Sequence, residues 1–142
     1  MAGVLYALAA GVIIAIQGAM NTRVSEKAGV WMTTTLVHGM GFVVSLLLYL
    51  WLRGGSPENL WQLNKGYLLG GLLGVGIVVG VSLSIGQLGA AYAMAIILVA
   101  QLVFALGIDS LGLFGSPRVA LEWNRIVGIA VMIAGILIFK WK

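Results

Sequence analysis

Residues 66–108 read GYLLGGLLGVGIVVGVSLSIGQLGAAYAMAIILVAQLVFALGI, 43 residues without one charged side chain. A helix crosses the apolar core of a bilayer in about 20 residues, so this run is twice the length of one crossing. It therefore divides, and the turn formers in Ser84-Ile85-Gly86-Gln87-Leu88-Gly89 place the division. The reading gives two spans, 66–85 and 88–108, joined by a tight hairpin. Working outward, residues 2–20 form a span that ends at Asn21-Thr22-Arg23, and residues 30–52 form another, halted by Arg53-Gly54-Gly55-Ser56-Pro57. The last span, 126–141, is short, and is extended by Trp141 and by the stems of Lys140 and Lys142. The segment 110–125 is the longest linker and is expected to dip partly into the membrane. Five helices result, or four if the last span only lies in the interface.

Composition agrees with this reading. Of 142 residues, 61% are hydrophobic and 8% charged, with a mean hydropathy of +1.10; a soluble domain carries about 45–50% and about 25%. The chain is read as an all-α integral membrane protein, one transmembrane domain over residues 1–142. Residues 2–20 lack the basic leader of a signal peptide and exceed its apolar length, so they are read as a retained span. Trp31, Trp51, Trp61, Trp123 and Trp141 all fall at span ends or in linkers, as amphipathic rings do at the headgroup level. With no cysteine, disulfides, thiolate metal sites and Cys nucleophiles are excluded. The net charge of +4 comes without a basic cluster, which gives no reason to expect nucleic acid. No cofactor or metal site is expected.

The basic residues are balanced. Five crossings put Arg53, Lys65, Arg118 and Arg125 on one side and Arg23, Lys27, Lys140 and Lys142 on the other. Lys/Arg bias sets membrane orientation, so a tie leaves either orientation open. Five helices are few to enclose a solute path, but two oppositely inserted copies make a ten-helix inverted repeat. An antiparallel dual-topology homodimer is the expectation, with a single orientation fixed by folding or by a partner as the alternative.

Several strings carry a resemblance: Gln17-Gly-Ala-Met-Asn21, Gly70-Gly-Leu-Leu-Gly74, Leu88-Gly-Ala-Ala91, Gln101-Leu102, Ile108-Asp109-Ser-Leu-Gly112-Leu-Phe-Gly115 and the glycine-spaced Arg125–Gly135. In order along nearly the whole chain, they resemble the five-helix, single-repeat YdcZ-like branch of the drug/metabolite transporter superfamily. One departure is Ala100, where the family tends to have glycine. The resemblance implies a multi-pass transporter of small organic solutes in the bacterial inner membrane, working as an antiparallel dimer or as paired related halves. Residues 74–80 also resemble the glycine-broken third helix of the small multidrug resistance proteins, where the break lets the helix bend.

Few polar side chains lie inside the spans. Gln17 and Asn21 are four apart, on one helix face, and read either as solute contacts or as interhelical glue; solute contact is preferred for Gln17, and capping or glue for Asn21. Gln101 is a second solute-contact candidate. His38, the only histidine, reads either as a proton-sensitive site or as a neutral ring bonding a neighbouring helix. Tyr6, Trp31 and Tyr92 offer flat surface to a solute. Thr33, Thr34, Thr35, Ser82 and Ser84 are expected to bond backbone carbonyls only. Asp109 ends a helix, where a carboxylate opposes the dipole, and a structural ion pair with Arg118 or Arg125 is expected. The glycines at 66, 70, 74, 76 and 80, with Gly71, read as a packing seam, a hinge, or both.

The small multidrug resistance proteins bind protons and cations on a first-helix carboxylate. Gln17 occupies the comparable region and cannot titrate, which argues against proton-for-cation exchange. The expectation is a secondary transporter for a small neutral or zwitterionic polar metabolite, with a planar amide-bearing solute such as a nucleobase matching glutamines and rings. Alternatives are a subunit that needs a paralogous partner and a drug or cation exporter; catalysis is not expected.

Overall fold

The structure is a computed structural model that describes residues 1–52 and 55–141. Arg53 and Lys142, two of the eight basic residues in the charge tie, lie outside the described residues, as does Gly54 of the breaker run. Five α-helices follow in order: α1 (Ala2–Ala28), α2 (Val30–Leu52), α3 (Gly70–Leu88), α4 (Ala90–Leu111) and α5 (Trp123–Lys140). Short 3-10 turns cover Pro57–Gln62, Lys65–Leu69 and Leu113–Gly115. Each of the five helices is long and apolar enough to cross a membrane, α3 together with the turn that leads into it. All five tryptophans are largely exposed at helix ends or in the 57–62 turn.

Several boundaries differ from the hydropathy reading, most of all the end of α1. The first helix runs on to Ala28, because Thr22–Ala28 contains charges but no breaker. Arg23 and Glu26 form an i,i+3 ion pair of 3.1 Å on its exposed face, and Lys27 in the last turn suits the negative end of the helix dipole. At 1.5 Å per residue its 27 residues span about 40 Å against a core of about 30 Å, so the charged end emerges into the headgroups. What stops α1 is Gly29, with φ 85° and ψ 150°. Gly89, with φ 81° and ψ 156°, interrupts the chain between α3 and α4 in the same way. Each break is one residue long, shorter than the linker and the turn read from sequence.

The chain divides into two compact units, Met1–Gln87 and Leu88–Lys142. In the first, α1 packs on α2 across Gly29. The Thr22 hydroxyl donates to Gly18 O at 2.8 Å and lies 3.3 Å from Ser82 O, which brings α3 against α1. In the second unit, α4 packs on α5. They run antiparallel: Lys140 Nζ, at the end of α5, lies 5.0 Å from the ring centroid of Tyr92, at the start of α4.

Burial is inverted relative to a water-soluble domain. Among the described residues the buried hydrophobic side chains are Ile85 and Ala93, whereas Thr22, Thr33, Thr34 and Ser82 are buried and most Leu, Ile, Val, Phe and Trp side chains face outward. Small and hydroxyl-bearing residues inside, with apolar residues outside, suit a surround of lipid tails.

The linker after α4 is tied back onto the helix end. Gly112 N donates to Ile108 O, Val119 N to Asp109 O at 3.0 Å and Arg118 Nε to Leu111 O at 3.2 Å. Three of the four carbonyls left open at the end of α4 are thereby satisfied. This corrects the expected pairing: Arg118 is drawn to the helix carbonyls, and Asp109 has no ion pair among the described residues.

Gly112 sits at φ 66°, and a Cβ there would lie 2.7 Å from Arg118 Cγ; Gly115, at φ 79°, has open space. Gly112→Ala should therefore cost more than Gly115→Ala. We expect about 1 kcal/mol of backbone strain for each, plus loss of the Arg118 cap for Gly112→Ala alone, read as thermal unfolding in detergent. Equal costs would mean that Arg118 does not hold the helix end.

Candidate functional site

Hydroxyls on α2 are closed on their own helix. Thr33, Thr34 and Thr35 donate to Gly29 O, Val30 O and Trp31 O at 2.9, 2.8 and 3.0 Å. One turn on, His38 Nδ1 lies 2.9 Å from Thr34 O. A carbonyl can only accept, so Nδ1 carries a proton, and in the neutral ring the lone pair is on Nε2. The half-buried ring reaches toward α3, where a Cβ built on Gly74 would lie 3.2 Å from Nε2. Gly74 is thus the glycine that admits the histidine.

The other members of the glycine series have different surroundings. Gly70, Gly71, Gly76 and Gly80 have nothing within 4 Å of a built Cβ, and Gly66 meets only the Asn64 side chain of its own turn. The α3 helix is continuous through Gly74, Gly76 and Gly80. A second close approach within the first unit involves two pairs, buried Gly18 with Thr22 on α1 and Ser82 with Gly86 on α3: Thr22 Oγ1 lies 3.3 Å from Ser82 O, and a Cβ on Gly86 would lie 3.7 Å from Thr22 Cγ2. Each pair is spaced by four and was readable as a small-residue face, but the adjacent Gln17/Asn21 face draws attention first.

Gln17 is exposed and Asn21 half-buried. Both line one shallow furrow on α1 with Ile13, Ile16 and Met20. Gln101 is exposed at the midpoint of α4. Among the described residues none of these three amides has a hydrogen-bond partner. Trp31 is exposed on α2, Tyr6 on α1, and Tyr92 is half-buried under Lys140. The structure brings Gln17 together with Asn21, and His38 with Gly74; Tyr92 and Gln101 belong to the second unit.

The sequence reading gives Ser82 and Ser84 backbone carbonyls as partners and assigns nothing to Ser25. Ser84 bonds Val81 O at 3.0 Å as expected. Ser82 departs from expectation: its Oγ, on a residue 3% exposed, is buried and, like Ser25 Oγ, has no partner among the described residues. No cluster of His, Cys, Asp or Glu that could hold a metal is found among the described residues.

A family model described as "Putative inner membrane exporter, YdcZ" matches residues 2–138. The chain belongs to the YdcZ family. It is accordingly a multi-pass inner membrane protein of a transporter family, and the five helices supply the crossings. Comparison with curated proteins and with solved structures gives no match.

The His38–Gly74 contact predicts a coupling. In this YdcZ-family chain Gly74→Ala should lower thermal stability by about 1 kcal/mol, overpacking against the ring. In a His38→Ala background it should be neutral or stabilising, since alanine is the better helix former. Thermal unfolding of the two single variants and the double variant measures this, and additive effects would remove the contact from the account.

Proposed function

We propose that the protein is a secondary transporter for a small neutral or zwitterionic polar organic solute. It alternates access between two protomers inserted in opposite orientations. One observation carries the reading: Gln17 and Gln101 sit within apolar membrane helices, exposed and without a partner among the described residues. An amide facing lipid tails is unfavourable by several kcal/mol, so these faces meet water, solute or a second subunit. The balanced basic residues support two orientations, and a second copy supplies the enclosure that five helices lack.

The acidic residues, Glu26, Glu58, Asp109 and Glu122, all lie at helix ends or in linkers. No carboxylate occupies the middle of α1, which disfavours a cation exporter of small multidrug resistance type. The amides with the rings of Trp31 and Tyr92 suit a planar, amide-bearing solute such as a nucleobase. His38 offers a proton-linked route, with facilitated diffusion as the other. The second reading is a half-transporter whose paralogous partner fixes one orientation despite the charge tie.

Uptake into proteoliposomes should fall about two- to tenfold for Gln17→Ala and for Gln101→Ala, the loss of one amide contact to solute. Unchanged flux and affinity in both would reject the assignment. Labelling of tags at both termini should find each on both sides of the membrane; a single orientation would reject the homodimer.

A further inference from the structure

We infer that the groove between α4 and α5 that ends at Asp109 and Arg125 binds a zwitterionic phospholipid, its ammonium on Asp109 and its phosphate on Arg125. The groove holds about 340 Å³. Leu102 and Leu106 of α4 and Gly128 and Met132 of α5 floor it, and the two charged side chains stand at one end.

Each charge is at the unfavourable end of its own helix. Asp109 lies in the last turn of α4 and Arg125 in the first turn of α5, where the helix dipoles oppose them. Both are half-buried, line the same groove, and have no ion pair or hydrogen bond to their side chains among the described residues. Arg118, the basic residue of the linker between them, is occupied by Leu111 O. Two opposite, unpaired charges at one mouth call for a ligand that carries both signs. A phosphate accepts a paired contact from a guanidinium, and a primary ammonium donates to a carboxylate.

The rest of the groove specifies an apolar continuation. From Asp109 to Leu102 is seven residues, about 10 Å along α4, lined by aliphatic side chains. A small polar solute would leave that length empty, whereas an acyl chain fills it. Trp123, exposed at the start of α5 beside the charged end, marks the headgroup level. Lipid is thus the occupant that matches charge, depth and length together, and the inference does not depend on transport.

The test is native mass spectrometry of the full chain with phosphatidylethanolamine, phosphatidylcholine and phosphatidylglycerol of identical acyl chains. The wild type should retain phosphatidylethanolamine best, since the quaternary ammonium of the second cannot donate and the third has none. Asp109→Asn should erase the preference for phosphatidylethanolamine over phosphatidylcholine. Arg125→Gln should lower retention of all three by about three- to tenfold, the size of one charge-assisted contact at a half-buried site. Gly128 has open space at its Cβ position, so Gly128→Leu should fill the groove and reduce retention with both charges intact. Lys140→Gln, away from the groove, should change nothing; helicity and monodispersity confirm folding of every variant. Equal retention of the three lipids by the wild type would overturn the proposal. So would a preserved preference in Asp109→Asn, or displacement of the lipid by soluble glycerophosphoethanolamine, which has no acyl chains.

Discussion

Every polar group at membrane depth must find its partner in protein or in a water-lined cavity, because lipid tails offer none. The helices follow from that constraint, since they close their backbone bonds internally. The side chains follow it too. Thr33, Thr34, Thr35, Ser45, Ser84 and Ser110 each return a proton to a carbonyl three or four residues back. Thr22 does so and also lies near Ser82 O of another helix. Lipid tails are as apolar as leucine, so no hydrophobic force drives one helix onto the next. Contact is made where one side is small enough for close approach, as at Thr22 against Ser82 and Gly86 and at His38 against Gly74.

The fold was legible where hydropathy and breakers coincide. Val30–Leu52 begins after one glycine and ends at a breaker run, and its bounds are those read from sequence. The end of α1 was not, because charge marks only the end of the apolar core and not the end of the helix. A helix leaves the membrane and continues until the backbone is turned, here at Gly29. The same holds for α5, whose apolar span starts at Ile126 although Trp123-Asn124-Arg125 already belongs to the helix. Gly29 and Gly89 carry nearly the same dihedral angles, but nothing in their neighbouring residues distinguishes them in advance from the glycines inside α3.

The polar residues were legible by position but not by partner. Hydroxyls that bond their own helix need only local geometry, which sequence spacing conveys. Asp109, Arg118 and Arg125 depend on where an eleven-residue linker, Gly112 to Glu122, lays its side chains, and spacing says nothing of that. The unsigned choice between two arginines resolves through helix-end electrostatics: Arg118 adds its charge where carbonyls are open, and Asp109 is left out. The buried Ser82 hydroxyl has no local partner because its own helix carbonyls are not engaged by it, an outcome that depends on rotamer rather than spacing.

Amides and hydroxyls part company under the constraint that rules this chain. A hydroxyl has one proton, and the carbonyl a turn back suffices for it. An amide has two donors and two acceptor positions, more than its own helix can serve, and Gln17 and Gln101 take none of what theirs offers. Interhelical amide contacts in membranes contribute about 0.6–2 kcal/mol, less than the several kcal/mol that exposing an unpartnered amide to hydrocarbon costs. The balance therefore does not favour amides merely as fasteners on a lipid-facing surface. It favours faces that water, a bound molecule or another protomer covers.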